Sequence, residues 1–242
     1  MEFPFSRQYG LFCPHVLWAS EFLRSQQLGV ASLTDHSIEK LRICAPRSIQ
    51  LHVLPRLLAE FSRQCPQIQV EIRTGMSSKI IRVMEQDDGD VGFVKGNHAT
   101  SLEKISLYSI RMYVVNKGSI DLDRLPEMEQ ISFIQEPSIE KAIDDWWREH
   151  FKRPTRIRMR ASSGEACMAM IREGLGYGIF SDSNYFRTVP EIERLPLTNR
   201  DGSAFARKTY LIFPQNSQNQ EAIRCFFEFI QTYSFDASDT LI

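Results

Sequence analysis

From Leu41 onward, strand-sized apolar runs alternate with amphipathic helical spacings, and the series occurs twice. The first reads as a strand from Leu41 to Ala45, a helix from Leu51 to Gln64 stopped before Pro66, a strand from Ile68 to Arg73, a helix from Ser77 to Gln86 and a strand from Val91 to Val94. A longer strand, Ser106 to Asn116, carries the chain onward. After Lys117 the order begins again: strand Ile131 to Ile134, helix Ile139 to His150, strand Arg156 to Arg160, helix Ser163 to Glu173 and strand Gly178 to Phe180. A helix between successive strands gives the chain the length to return to the same sheet edge, which makes the strands parallel and covers both faces of the sheet. Two such series predict two lobes, one of which receives the closing strand Arg207 to Phe213 and helix Glu221 to Tyr233.

With 242 residues, 43% of them hydrophobic, the chain can bury a core in each of two modest lobes. Its 29 Lys and Arg balance 30 Asp and Glu, so no net field draws it to nucleic acid or an anionic membrane, and DNA contact would need a local basic patch. The longest apolar runs are strand-sized, such as Met112 to Val115, far below the ~20 residues of a membrane helix. Met1 to Gly10 lacks the basic, apolar, small-residue order of a signal peptide, and the expected location is the cytoplasm. Cys13, Cys44, Cys65, Cys167 and Cys225 show no ligand-like spacing and are odd in number, which suits reduced thiols acting as small hydrophobes; Cys44 and Cys167 are the two to test for reactivity. Ahead of the first strand, Leu11 to Gln27 carries Leu11, Trp18 and Phe22 on one helical stripe, a face that suits either a partner or the body of the same chain.

Ligands of open parallel sheets bind beyond the carboxyl ends of the strands, where helix starts offer free amides. Four strand ends here run into serine: Pro46, Arg47 and Ser48; Gly75, Met76, Ser77 and Ser78; Gln135, Glu136, Pro137 and Ser138; Ala161, Ser162, Ser163 and Gly164. One serine at a helix start is ordinarily a cap for that helix. Four of them across two lobes point to a ligand cleft whose amides suit a carboxylate, phosphate or sulfate, with neutral polar ligands also admitted.

The chemistry of an enzyme is not written in the chain. There is no HExxH, GxSxG or GxxxxGK[ST], and no pairing of His with Cys or Asp of the kind that suggests a nucleophile and its base. His15, His36, His52, His98 and His150 lack metal-ligand spacing, and Asp87, Asp88 and Asp90 around Gly89 read as a helix-to-strand turn. Trp146 and Trp147 belong to the stripe of a core helix, and Gly174, Gly176 and Gly178 follow a helix and precede a strand, the reverse of a dinucleotide fingerprint. No catalytic residue, metal ligand or cofactor is expected.

These stretches resemble, in order, the regulatory domain of LysR-type transcriptional regulators. The resemblance is carried by LRICAPRSIQLHVLPRLLAEFSRQCPQIQVEIRTG (Leu41 to Gly75), IIRVMEQDDGDVGFVKG (Ile80 to Gly96), CMAMIREGLGYGIF (Cys167 to Phe180) and RKTYLIFPQNSQNQEAIRCFFEFI (Arg207 to Ile230). It implies two Rossmann-like α/β lobes of the periplasmic-binding-protein type II kind joined by crossing strands and preceded by a linker helix. Residues 1–40 would be the linker and connector, 41–116 with 207–242 lobe I, and 117–206 lobe II, with crossings near Val114 to Lys117 and Ser203 to Tyr210. A small effector would sit between the lobes on Ser48, Ser77, Ser78, Ser138, Ser162 and Ser163, with Arg47, Lys95 and Gln135 as additions. The resemblance further implies a homodimer or tetramer, paired through Leu51 to Gln64 and Ile68 to Arg73, and operator DNA reached only through a winged helix-turn-helix absent from this chain. The alternatives are a stand-alone paralogue that pairs with a full-length regulator, or a cytosolic small-molecule-binding protein. The chain departs from the family pattern at Ser138-Ile139-Glu140, where many members carry a glycine, serine and threonine run.

Overall fold

The computed structural model describes residues 39–181, 185–186, 189–215 and 220–235. The helix expected from Leu11 to Gln27 lies outside them. Ten strands and six α-helices follow one another as β1 (Glu39–Ala45), α1 (Arg47–His52), α2 (Leu54–Gln64), β2 (Ile68–Thr74), α3 (Ser77–Glu85), β3 (Val91–Lys95), β4 (Glu103–Arg111) and β5 (Tyr113–Asn116). After a 3-10 helix, Leu122–Glu127, come β6 (Glu129–Phe133), α4 (Pro137–His150), β7 (Arg156–Ala161), α5 (Gly164–Arg172), β8 (Gly178–Phe180), β9 (Glu193–Pro196), β10 (Ala206–Phe213) and α6 (Glu221–Thr232). Glu39 and Lys40, expected in the connector, open β1.

The first sheet has the order β2-β1-β3-β10-β4. β1 is parallel to β2 and β3, as the alternation requires, whereas β10 is antiparallel to both β3 and β4, so the sheet is mixed. Both faces are covered. On one, Leu57 and Phe61 of α2 and Phe226 and Ile230 of α6 pack on Leu41, Ile43 and Phe93; on the other, Ile80, Ile81 and Met84 of α3 pack on Cys44, Val94 and Ile212. The second lobe holds two smaller sheets, β8-β5-β9 and β6-β7. There α4 buries Ile143, Trp146 and Trp147 against Val114, Ile179 and Leu197, and α5 buries Cys167, Met168 and Ile171 against Val115, Ile131 and Phe180. Both tryptophans are core residues whose indole N–H groups donate to the carbonyls of Thr198 (2.7 Å) and Arg153 (2.8 Å).

Two expected elements are divided. The helix expected from Leu51 to Gln64 is two helices that meet at Val53, because Pro55 has no amide for an interior helical bond and is accommodated only in the first turn of a new helix. The single strand expected from Ser106 to Asn116 breaks at Met112: β4 pairs with β10 of the first sheet, but β5 pairs with β8 and β9 of the second. The lobe-to-lobe crossing therefore lies at Met112, ahead of the expected Val114 to Lys117. Its amide donates to the Phe205 carbonyl (2.8 Å) and its carbonyl accepts from Leu197 N–H (2.8 Å), so outgoing and returning chains are tied together at the crossing.

The turn after α3 has a role of its own. Asp90 is buried and accepts hydrogen bonds from Arg42 N–H (2.6 Å), Nε (3.1 Å) and Nη2 (2.7 Å), fastening the start of β3 to β1. Thiol chemistry is muted in the core. Burial pushes the Cys44 thiol up and the Cys167 thiol up to about 12, and Cys167 Sγ sits 3.3 Å from the Ile131 carbonyl it donates to. Since the thiolate is the reactive form, iodoacetamide at pH 8 is expected to leave both unmodified in the folded protein, with half-buried Cys225 labelled first among the described cysteines. Mass spectrometry checks this, and rapid native-state labelling of Cys167 would contradict it.

Candidate functional site

The carboxyl ends of β1, β2 and β3 in the first lobe face those of β6 and β7 in the second across a cavity of about 280 Å³. Its polar lining from the first lobe is Arg47, Ser48, Thr74, Ser77 and Lys95, and from the second Gln135, Glu136, Ser162, Ser163, Glu165 and Ser181. Apolar wall comes from Met76, Phe133, Ile134, Ile139 and Tyr185. Of the residues expected from sequence, Arg47, Ser48, Ser77, Lys95, Gln135, Ser162 and Ser163 thus meet at one place. Ser78 and Ser138 are exposed and lie outside the lining.

The serines do different work from the capping expected of them. Only Ser163 caps its helix, its Oγ accepting from Ala166 N–H at 3.3 Å. The N-cap positions of α1, α3 and α4 belong to Pro46, Met76 and Glu136, none with a side-chain cap bond, so Ser48, Ser77 and Ser138 sit one or two residues inside their helices. Their hydroxyls turn instead to the basic residues of the sheet. Lys95 Nζ donates to Ser48 Oγ (2.8 Å), Lys95 N–H to Ser77 Oγ (3.0 Å), and Arg207 Nη2 to Ser138 Oγ (3.1 Å) and to the Lys95 carbonyl (2.7 Å).

Glu136 was not expected. Its Oε1 accepts the Ser77 amide at the start of α3, so a side chain of the second lobe meets a helix start of the first. Its Oε2 is buried without a hydrogen-bond partner among the described residues, 3.8 Å from His98 Nε2. Arg207, also unexpected, is buried at the start of β10; burial lowers its guanidinium pKa and the facing Glu136 carboxylate opposes that shift. At the mouth, Arg47 Nε stands 3.3 Å from Glu165 Oε1, and His52 of α1 meets the Tyr185 ring edge-on at 6.0 Å between centroids. Burial alone would raise Glu165, yet its own backbone amide, Ser163 and Arg47 hold it below the usual carboxylate range. Glu136 had a visible signal, the strand end it shares with Gln135. Arg207 also had one, a cation where a crossing strand re-enters the sheet. Tyr185 lies on a stretch with no periodicity to place it.

Among the described residues no three His, Cys, Asp or Glu side chains gather as a metal site, and no helix is long and apolar enough to cross a membrane. Two α/β lobes joined by crossing strands around a largely apolar cavity with polar groups at the strand ends have the fold of the periplasmic-binding-protein type II kind. A family model, the LysR substrate binding domain, matches residues 34–234, and the chain belongs to that family: it carries the substrate-binding domain of a LysR-type transcriptional regulator. An uncharacterized HTH-type transcriptional regulator of Bacillus subtilis (strain 168), YraN, is 25% identical over 207 residues, which are 84% of this chain and 70% of that protein. A probable RuBisCO transcriptional regulator of Trieres chinensis is 24% identical over 208 residues, 79% of this chain and 67% of that protein. Among solved structures, the effector binding domain of QuiR in complex with shikimate covers 80% of this chain and 96% of its own at 18% identity, with a TM-score of 0.65. The BenM effector binding domain with benzoate covers 80% of this chain and 90% of its own at 14% identity, with a TM-score of 0.66. At these identities the structural likeness is one of fold.

Proposed function

We propose that the cavity is the effector site of a ligand-responsive regulator: a small molecule, anionic at one end, binds between the lobes and favours one lobe arrangement over another. In this reading Ser48 and Lys95 receive the polar end, Ser162, Ser163, Ser77 and Gln135 shape the rest, and Ser78 and Ser138 support the cavity from outside. The observation that carries it is the convergence of β1, β2, β3, β6 and β7 ends on one cavity of about 280 Å³, the size of a small metabolite, whose wall is mostly apolar with a few polar groups placed at the strand ends. The effector transmits its signal only through differential affinity for two arrangements, and copies of the chain pair so that the change alters the spacing of attached DNA readers. The protein works in the cytoplasm and catalyses nothing.

The test is a thermal-shift screen of amino acids and small organic acids, benzoate and shikimate included, on wild-type protein and on Ser48→Trp and Ser162→Trp. Each substitution fills the cavity from a different lobe. The expected result is at least one compound that raises the wild-type midpoint and neither variant's; equal shifts in all three proteins would remove the cavity from the reading.

A further inference from the structure

The helix starts at this cavity do not await an anion; the chain supplies its own. Glu136 accepts the Ser77 amide at the head of α3, a nine-residue helix whose N-cap residue offers no side chain to it. The head of α5 is served by Ser163 and by Glu165, which bonds its own backbone amide and is paired with Arg47. Arg207, more than nine-tenths buried, has an Nη1 without a hydrogen-bond partner among the described residues and stands within the electrostatic reach of Glu136, beyond ion-pair distance, so the carboxylate bonded to the helix head also feels a buried guanidinium. That is the environment of a bound carboxylate, occupied by a side chain from the opposite lobe.

We propose that Glu136 is a built-in anion that fills the α3 head and thereby sets the effector class: a small molecule with an apolar body and a single anionic group, not a dicarboxylate or a phosphate ester. This rests on the effector reading of the cavity. A second negative group brought to the α3 head meets the Glu136 carboxylate, and like charges at hydrogen-bond distance in a partly dry site repel strongly. The apolar body has its wall in Met76, Phe133, Ile134 and Tyr185.

The test is chemical rescue. In Glu136→Ala the carboxylate is gone and its space is open, so sodium acetate at tens of millimolar is expected to raise the variant's thermal midpoint by about 3 °C over equal sodium chloride, with no rise for wild type. Glu136→Gln keeps an acceptor for the Ser77 amide and fills the space; it is expected to fold and to ignore acetate. Succinate is expected to stabilise Glu136→Ala and not wild type, because only the variant leaves the α3 head free for a second carboxylate. Acetate without effect on Glu136→Ala, or succinate equally effective on wild type, would overturn the proposal. Rescue reads the α3 head and Ser48→Trp reads the cavity, so rescue combined with compounds that still bind Ser48→Trp would sink the effector reading alone.

Discussion

Gly176→Ala is expected to destabilise the protein by about 3 to 5 kcal/mol, although Gly176 touches nothing in the cavity. Its φ is +151°, a backbone conformation that side chains rarely adopt, and an added Cβ would stand 2.4 Å from the Glu129 carbonyl oxygen. Backbone strain and a clash against backbone act together, and the carbonyl cannot retreat: it accepts Tyr177 N–H (3.0 Å), while Ile131 N–H donates to the Tyr177 carbonyl (2.8 Å). These bonds hold β6, whose end delivers Phe133, Gln135 and Glu136 to the cavity. Gly202→Ala is the control, with φ at +82° but nothing within 4 Å of the added Cβ, so only strain of about 1 kcal/mol is expected. Urea unfolding measures both, as a fall in midpoint at constant m-value. A Gly176→Ala cost no greater than that of Gly202→Ala would show that the Glu129 contact relaxes freely.

Gly176 also marks how far sequence reasoning reaches. The glycines after Arg172 announce a helix stop followed by a turn, which is what Gly174 and Leu175 make by donating to the Ile171 (2.8 Å) and Met170 (3.2 Å) carbonyls. Nothing in the spelling shows that the turn presses against Glu129, because that contact joins segments 47 residues apart in the chain. The same divide runs through the fold. Alternating strand and helix patterns place β1 to β3 and β6 to β8: burial makes β1, β3, β6 and β8 apolar runs, while β2 and β7, mostly exposed, show as alternating segments between helices. β9, Glu193–Pro196, is four residues long, mostly exposed and ends in proline, so no periodicity betrays it; its partner β5 supplies the order. At the site, strand ends and polar helix starts were legible, hence Ser48, Ser77 and Ser163, while Lys95 came only through the family resemblance. What each hydroxyl does was not, since a shift of one or two residues in the N-cap turns a cap into a partner for lysine or arginine.

Arg207→Met is expected to destabilise the protein by about 3 kcal/mol, and the loss is expected to depend on Glu136. The methionine keeps much of the buried stem and removes the charge. What remains is a Glu136 carboxylate without the field of that guanidinium, with His98 Nε2 3.8 Å away, and a Lys95 carbonyl and Ser138 hydroxyl that have each lost the bond from Nη2. A buried charge stripped of its partner costs more than the pair contributes, because its desolvation is no longer compensated. Glu136→Gln alone is expected to cost about 1 to 2 kcal/mol, since it retains an acceptor for the Ser77 amide while leaving the guanidinium uncompensated. In the double variant neither uncompensated charge survives, so its loss should fall short of the sum of the single losses by about 1 to 2 kcal/mol. A strictly additive cycle would mean that the guanidinium and carboxylate do not act on each other. Because Arg207 belongs to the first lobe and Glu136 to the second, this coupling is also a measure of how firmly the lobes are joined beneath the cavity. A compound that shifts the lobe arrangement must work against it. Repeating the cycle in the presence of any compound that stabilises wild type should therefore change the coupling energy, whereas a compound bound elsewhere should leave it unaltered.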